Sequence, residues 1–222
     1  MKEHIVKVIS VEPVTHDVKR FTVQKPEGYK FKPGQATEVS INTSALKHEK
    51  RPFTFTSLND NAHLEFTIKI YDSHNGITKE LGKLKHGDEL IIRDVWGAIE
   101  YKGEGVFIAG GAGITPFIAI LRQLDSENKI NHNRLIFTNK TESDIILRKE
   151  LSEMLGKNFI NTLTDEKKEG YENRLIDYSF LKEKIVDFTQ HFYVCGPPPF
   201  VKSISEALTR LGAKTDAVVF EN

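Results

Sequence analysis

The chain has 222 residues, enough for one large domain or two small ones. With 39% hydrophobic and 28% charged residues it matches an ordinary globular protein, not a collagen-like, low-complexity or disordered one. Lys and Arg number 31 and Asp and Glu number 31, so no global positive charge exists to condense on a polyphosphate or an anionic bilayer, which argues against a general nucleic-acid binder. Cys195 is the single cysteine, which rules out an intrachain disulfide and an iron–sulfur cluster built on about four thiolates. The eight histidines are scattered without His-Glu-x-x-His spacing, so no metal site is expected. The longest apolar stretch, 106–121, is interrupted by glycines, Thr115 and Pro116 and is too broken for a transmembrane helix. The first residues lack the pattern of a signal peptide, and a cytoplasmic location is expected.

In chain order, the first hundred residues carry a period of two. Phe21/Val23, Val39/Ile41 and the longer series Leu64, Phe66, Ile68, Ile70 alternate with polar residues, as half-buried strands require, and 89–95 continues the pattern. Lys32-Pro33-Gly34 suits a type II turn, with Pro at the first central position and Gly at the second. The spacing predicts one short helix over 78–84. These elements point to an antiparallel barrel or sandwich.

Beyond Gly105 the period changes. Val106-Phe107-Ile108-Ala109 is a continuous apolar run, as in a strand buried on both faces, and it leads through glycines into a helix ending near Leu124. A strand over 134–137 follows, then a helix with Leu147, Leu151 and Leu155 behind a Thr141/Asp144 capping box. Strands are predicted over 159–163, 191–195 and 217–220, and helices over 177–188 and 200–211, the last behind a rigid turn forced by three prolines and stopped by Gly212. Five strands alternating with four helices imply an α/β domain with a parallel, doubly covered sheet. The charged segment 100–105 marks the boundary, giving an antiparallel β-barrel over 1–102 and an α/β domain over 103–222.

Open parallel sheets bind ligands beyond the carboxyl ends of their strands. Those ends are Gly110-Gly111-Ala112-Gly113-Ile114-Thr115-Pro116, Thr138-Asn139-Lys140, Thr164-Asp165-Glu166, Cys195-Gly196-Pro197-Pro198-Pro199 and Phe220-Glu221-Asn222. Glycines let backbone amides approach a pyrophosphate, and a helix start favours negative charge; a tight strand-to-helix turn needs the same residues. Cys195 alone fits a buried core thiol as well as a reactive one. In the first domain, Arg51-Pro52-Phe53-Thr54 combines a phosphate-matched fork, a stacking face and a hydroxyl, although a solvated charge run after Lys47 and a core Phe53 explain the same residues. Asn75-Gly76-Ile77-Thr78 reads as a hairpin turn or as an anion-binding helix start.

Taken together, Phe31-Lys32-Pro33-Gly34-Gln35, Arg51-Pro52-Phe53-Thr54, Gly76-Ile77-Thr78, Gly111-Ala112-Gly113-Ile114-Thr115-Pro116 and Cys195-Gly196-Pro197-Pro198 resemble, in order and spacing, the ferredoxin–NADP reductase-like flavoproteins. The resemblance implies a flavin-binding barrel followed by a nucleotide-binding α/β domain. It assigns Arg51 to the flavin pyrophosphate, Phe53 to the flavin ring, Thr54 to the neighbourhood of flavin N5, and Pro52, Ile70, Gly76, Ile77 and Thr78 to the rest of the FAD site. Gly111, Gly113 and Thr115 become the phosphate loop for NADH or NADPH, joined by Thr138, Thr164, Asp165 and Pro197, with Cys195 and Gly196 lining the hydride-transfer site. The family commonly has tyrosine where Phe53 stands, and Phe220 and Glu221 are the nearest candidates for the aromatic over the flavin and the acidic group near N5. Thr54, Cys195 and Glu221 are thus the implied catalytic set.

The implied activity follows from electron counting. A nicotinamide gives two electrons together, whereas ferredoxin, flavodoxin, a haem protein or an oxygenase component takes them singly, and a flavin does both. With one cysteine the chain carries no iron–sulfur domain, so a monomeric reductase with a separate acceptor is expected. Asp165 favours NADH, since a carboxylate accepts hydrogen bonds from ribose hydroxyls and repels a 2′-phosphate. The alternatives are a free-flavin or quinone reductase with loosely held flavin, and a non-catalytic nucleotide-sensing module.

Overall fold

The structure is a computed structural model; it describes residues 2–73, 76–97 and 99–214, together with the backbone of 218–220. The first sheet contains β1 (His4–Pro13), β2 (Val18–Gln24), β3 (Ala36–Ile41), β4 (Arg51–Thr54), β5 (His63–Lys69) and β6 (Glu89–Trp96), with α1 (Ile77–Leu81) between the last two. Its order is β4-β3-β6-β1-β2-β5 and every pairing is antiparallel. The chain just past β4 then meets β5, through a Phe55 to Phe66 bridge and the Thr56 N–H donating to Glu65 O at 2.8 Å, which closes the sheet into a barrel. Phe21, Val23, Phe31, Val39, Phe55, Leu64, Phe66 and Ile92 fill the interior, as the period of two requires. The Lys32 to Gln35 turn forms as expected, with Gly34 at φ +91 and its α-hydrogen so close to Ile99 O that a Cβ would come to 2.1 Å.

The second sheet is parallel: β7 (Gly105–Gly110), β8 (Arg134–Asn139), β9 (Phe159–Leu163), β10 (His191–Cys195) and β11 (Val218–Phe220), in the order β11-β10-β7-β8-β9. The helices are α2 (Thr115–Ser126), α3 (Arg148–Leu155), α4 (Tyr178–Lys184) and α5 (Pro198–Arg210). Along β7, Phe107 and Ala109 face a core shared with α2 and α3, while Val106 and Ile108 face one shared with α4 and α5. Both faces are therefore covered, which is why this strand shows no polar alternation.

Several boundaries differ from the sequence reading. The Thr141/Asp144 capping box exists, but it caps a single tight turn over 142–144; α3 starts only at Arg148, after Leu147 at φ +51, because buried Ile145 and Ile146 draw the intervening chain into the core. Pro198 and Pro199 do not precede α5 but open it, at positions where the missing N–H costs nothing. The helix predicted over 177–188 ends at Lys184, and the one predicted over 78–84 runs from Ile77 to Leu81.

The two halves meet over a packed interface. Val18, at the start of β2, joins the core of the α/β half. Tyr193 of β10 sends its hydroxyl to the connecting segment, accepting from the Lys102 and Gly103 amides at 2.9 and 3.1 Å and donating to Gly103 O at 2.7 Å. Burial pushes the Tyr193 phenol up, although the two amide hydrogen bonds work against it. Among the described residues no helix is long and apolar enough to cross a membrane.

Candidate functional site

In the parallel sheet β7 is the strand at which the order turns: β8 and β9 extend to one side of it, β10 and β11 to the other. The crevice beyond its carboxyl end is where this architecture leaves room for a ligand. A cavity of about 720 Å³ lies there, lined by Gly110 to Gly113 and Thr115 after β7, Thr138 and Asn139 at the end of β8, Thr164 after β9, and Cys195, Gly196 and Pro197 after β10. Eight residues singled out in the sequence, Gly111, Gly113, Thr115, Thr138, Thr164, Cys195, Gly196 and Pro197, are thereby brought to one place.

Two glycines have distinct physical reasons. Gly111 adopts φ +53 and a Cβ there would meet nothing within 4 Å, so its backbone faces open space. At Gly113 a Cβ would stand 2.4 Å from Cys195 O and 2.6 Å from Gly196 Cα, so the turn after β7 lies directly on the edge of β10. The start of α2 has no side-chain cap and no acidic or basic residue in its first turn; Thr115 spends its hydroxyl on Ala112 O at 3.0 Å. A tight turn over 111–114 runs straight into α2, so the Thr115 N–H is spent on Ala112 O and Pro116 has none; the amides that face an anion are those that begin this turn, at Gly111 and Ala112. Asn139 is 6% exposed, and both polar atoms of its carboxamide are buried without a hydrogen-bond partner. Cys195 is 7% exposed.

The barrel also contributes to this cavity, through Lys69 and Tyr71. The sequence reading placed both on the wet face of a strand and missed them; their position at the end of β5, on its polar face, was the available signal. Lys69 Nζ lies 2.7 Å from Asp17. Partial burial pushes the Asp17 carboxyl up, but hydrogen bonds from Lys69 and Thr15 and the Lys69 charge outweigh it and hold the group below the usual aspartate value. Asp144 and Phe200 also line the cavity without having been placed at a strand end by the sequence, whereas Lys140, in Thr138-Asn139-Lys140, had been.

The residues assigned to flavin lie apart from this cavity, on the barrel. Arg51 and Pro52 are exposed, Phe53 is half-buried and Thr54 is buried; β4 is held by β3, with Phe53 opposite Thr37 and Thr54 opposite Ala36. Arg51 Nη1 donates to Lys50 O at 2.7 Å. Gly76 has nothing within 4 Å of a Cβ position and precedes α1 without a side-chain cap, while Ile77 and Ile70 belong to the barrel core. Thr164 and Asp165 are both exposed, the Thr164 hydroxyl donating to Asp165 at 2.7 Å; Asp165 stands beside the cavity lining without being part of it. Phe220 is in β11 opposite Val194, its side chain outside the described residues, as is all of Glu221.

An antiparallel barrel with an exposed arginine and a half-buried aromatic on one short strand, joined to a parallel sheet with a glycine-lined crevice, is the architecture of a two-domain flavin and nicotinamide nucleotide oxidoreductase. Residues 5–101 match the family model of the oxidoreductase FAD-binding domain and residues 107–206 that of the oxidoreductase NAD-binding domain. The chain is 32% identical to NADH-cytochrome b5 reductase 1 of Kluyveromyces lactis over 197 residues, covering 81% of this chain and 68% of that protein. It is 27% identical to the reductase component of propane 2-monooxygenase of Rhodococcus jostii over 235 residues, covering 97% of this chain and 62% of that protein. The ferredoxin NADP+ reductase of Neisseria gonorrhoeae, solved with FAD and NADP bound, shares the fold with a TM-score of 0.87 at 20% identity, over 100% of this chain and 99% of that one. The chain therefore belongs to the ferredoxin–NADP reductase-like family of FAD- and nicotinamide-nucleotide-binding oxidoreductases. It spans 56% to 68% of the length of four of the curated relatives it matches.

Proposed function

We propose that this protein is an FAD-dependent NAD(P)H oxidoreductase, with NADH the favoured donor, that passes electrons one at a time to a separate acceptor such as a ferredoxin, a flavodoxin, a haem protein or an oxygenase component. The observation that carries this reading is that one cavity is walled by the phosphate-loop glycines, the Cys195–Gly196 edge and two residues of the barrel, so that a nucleotide seated there reaches both domains. FAD, when bound, would supply the exchange between a two-electron donor and a one-electron acceptor.

The residues fit these groups. The turn that begins at Gly111 and Ala112 offers amides to the nucleotide pyrophosphate, and Thr115, Thr138 and Pro197 shape the floor around it. The unpaired carboxamide of Asn139 is a polar group for which the protein itself supplies no partner. Cys195 and Gly196 close the end of the crevice nearest β10 and keep water from the reacting face. Arg51, on an exposed strand edge, meets the flavin pyrophosphate together with the backbone at Gly76 and Thr78, Phe53 offers its ring, and buried Thr54 holds a hydrogen bond near N5. Pro52 fixes the strand between them, and Ile70 and Ile77 support the site from the core. Phe220 and Glu221 are assigned to the flavin's other face and to N5, and the division between domains to residue 102. Asp165 selects NADH; of the basic residues that could meet a 2′-phosphate, Lys168 is held by Glu142 and Arg174 by Glu172 and Glu183, which leaves exposed Lys167 to oppose that choice.

The test is the visible spectrum of freshly purified protein before and after NADH is added without oxygen, followed by release and chromatographic identification of the flavin. Bound FAD that bleaches with NADH is the expected result. Flavin lost on dialysis points to the free-flavin reductase; protein that takes up no flavin refutes the reading.

A further inference from the structure

Arg122 lies two turns beyond Thr115 on α2, about 10 Å along the helix from the phosphate loop. Its side chain bridges the α/β half and the polar face of the barrel. Nη1 donates to Glu65 Oε1 of β5 and to Thr56 O, both at 2.6 Å, while Nε and Nη2 fork onto the Glu150 carboxylate of α3 at 2.5 and 3.0 Å. The side chain is 18% exposed. Thr56 stands two residues past Thr54 and is itself fastened to Glu65, its hydroxyl donating to Oε1 at 2.7 Å and its amide to Glu65 O. One planar cation thus ties the helix that begins at the nucleotide cavity to the segment that continues the flavin strand.

Stability alone does not explain this construction. Partly buried ion pairs return little net free energy after desolvation, whereas a guanidinium forked between two carboxylates and a carbonyl defines one relative placement of the groups it joins. Hydride transfer depends on such placement: the reacting atoms need to stand about 3 to 3.5 Å apart, and an error of about 1 Å is worth roughly a hundredfold in rate. Another polar contact between the two halves, His16 to Asp144 at 3.7 Å, has an exposed histidine and does not reach Thr56 or Glu65.

We propose that Arg122 is a positioning residue for hydride transfer, one that sets the relative placement of the nucleotide cavity and the Arg51–Thr54 strand by holding Thr56 and Glu65. This rests on the functional reading above. Burial disfavours the charged guanidinium, but the hydrogen bonds and charges of Glu150 and Glu65 more than offset it and the group stays protonated.

The experiment compares Arg122→Met and Arg122→Lys with the parent, all loaded with FAD. Four quantities are read: flavin content, Kd for NAD+ from its perturbation of the flavin spectrum, the limiting rate of anaerobic flavin reduction by NADH, and hydrogen exchange at the Thr56 and Glu65 amides in the same FAD-loaded proteins. Expected are flavin content and NAD+ affinity within about twofold of the parent, reduction slowed tenfold or more in Arg122→Met, an intermediate rate in Arg122→Lys, and faster exchange at both amides. The lysine variant keeps the charge and guards against loss of folding in the methionine one. Reduction within twofold of the parent in both variants, or unchanged exchange, would overturn this role while leaving the function standing. A parent that holds FAD but is not reduced by NADH would overturn the functional reading and this role with it.

Discussion

Replacing Gly113 by alanine tests the crevice at the point where its two walls touch. The added methyl would come to 2.4 Å from Cys195 O, 2.5 Å from Cys195 C and 2.6 Å from Gly196 Cα. All three are backbone atoms, and β10 is held at this end by its pairing with β7, Cys195 opposite Ala109. No side chain is available to swing aside, so the turn after β7 and the edge of β10 have to part by about 1 Å to reach ordinary contact distance. Overpacking of this kind costs about 1 to 3 kcal/mol, which for a chain of this size lowers Tm by roughly 2 to 12 °C. The same displacement widens the cavity beyond β7 and, on the proposed function, should slow flavin reduction by NADH by up to roughly a hundredfold. Gly111→Ala is the contrasting variant: its methyl meets no atom, and it pays about 1 to 2 kcal/mol for a left-handed backbone. It should melt slightly earlier than the parent and bind nucleotide less tightly, because the methyl projects toward the cavity. Thermal unfolding and anaerobic stopped-flow reduction give both readings. Gly113→Ala with the Tm and reduction rate of the parent would refute the claim that these two backbones are in contact.

Tyr193→Phe removes the hydroxyl that pairs with Lys102 and Gly103, and leaving those backbone groups unpaired should cost about 1 to 3 kcal/mol in urea unfolding; an unchanged midpoint would show that the linker does not depend on it. Because the Asp17 carboxyl is depressed in the folded protein, its contribution is present above its unfolded value of about 3.9 and is lost as pH falls through the lower folded value. Asp17→Asn should therefore be less stable than the parent at neutral pH and converge with it in acid, and parallel pH profiles of the two would refute this. Arg51→Ala should fold normally and hold FAD roughly ten- to more than a hundredfold less tightly, as measured by ultrafiltration of the bound flavin, for the loss of one charge-assisted contact; equal retention would remove Arg51 from the site. Asp165→Ser should lower the preference for NADH over NADPH in kcat/KM by about fivefold, the value for a carboxylate in a water-like dielectric, and unchanged discrimination would show that this exposed residue does not set the choice.

What the sequence displays and what it hides divide along the range of the interactions. The period of two in β5, the continuous apolar run of β7 and the turn at Gly34 depend on near neighbours, so each was legible. The polar face of β5 was not, because Glu65, Thr67 and Lys69 read alike as solvent-facing whatever packs over them; in the folded chain Glu65 receives Arg122, Thr67 is buried against Thr56, and Lys69 borders the cavity beyond β7. That cavity exists because β10, distant in sequence, pairs beside β7 and sets Cys195 against Gly113. The capping box shows the complementary failure. Thr141 and Asp144 do form it, but a local signature says only that a turn of helix begins, and the two buried isoleucines that follow decide that it stops and begins again.

The same division runs through β4. The four residues Arg51 to Thr54 are recognisable by type and order, yet nothing within them holds them in place. Before them, buried Arg93 is paired with Glu3 and Ser40 and donates to Lys47 O, ordering the loop that leads into β4. After them, Arg122 holds Thr56 O from the other domain. The motif itself can be read residue by residue, whereas the segments on either side of it are tied down by two guanidinium groups that lie outside it. Substitutions at Arg93 and Arg122 should therefore disturb β4 without touching any residue assigned to flavin.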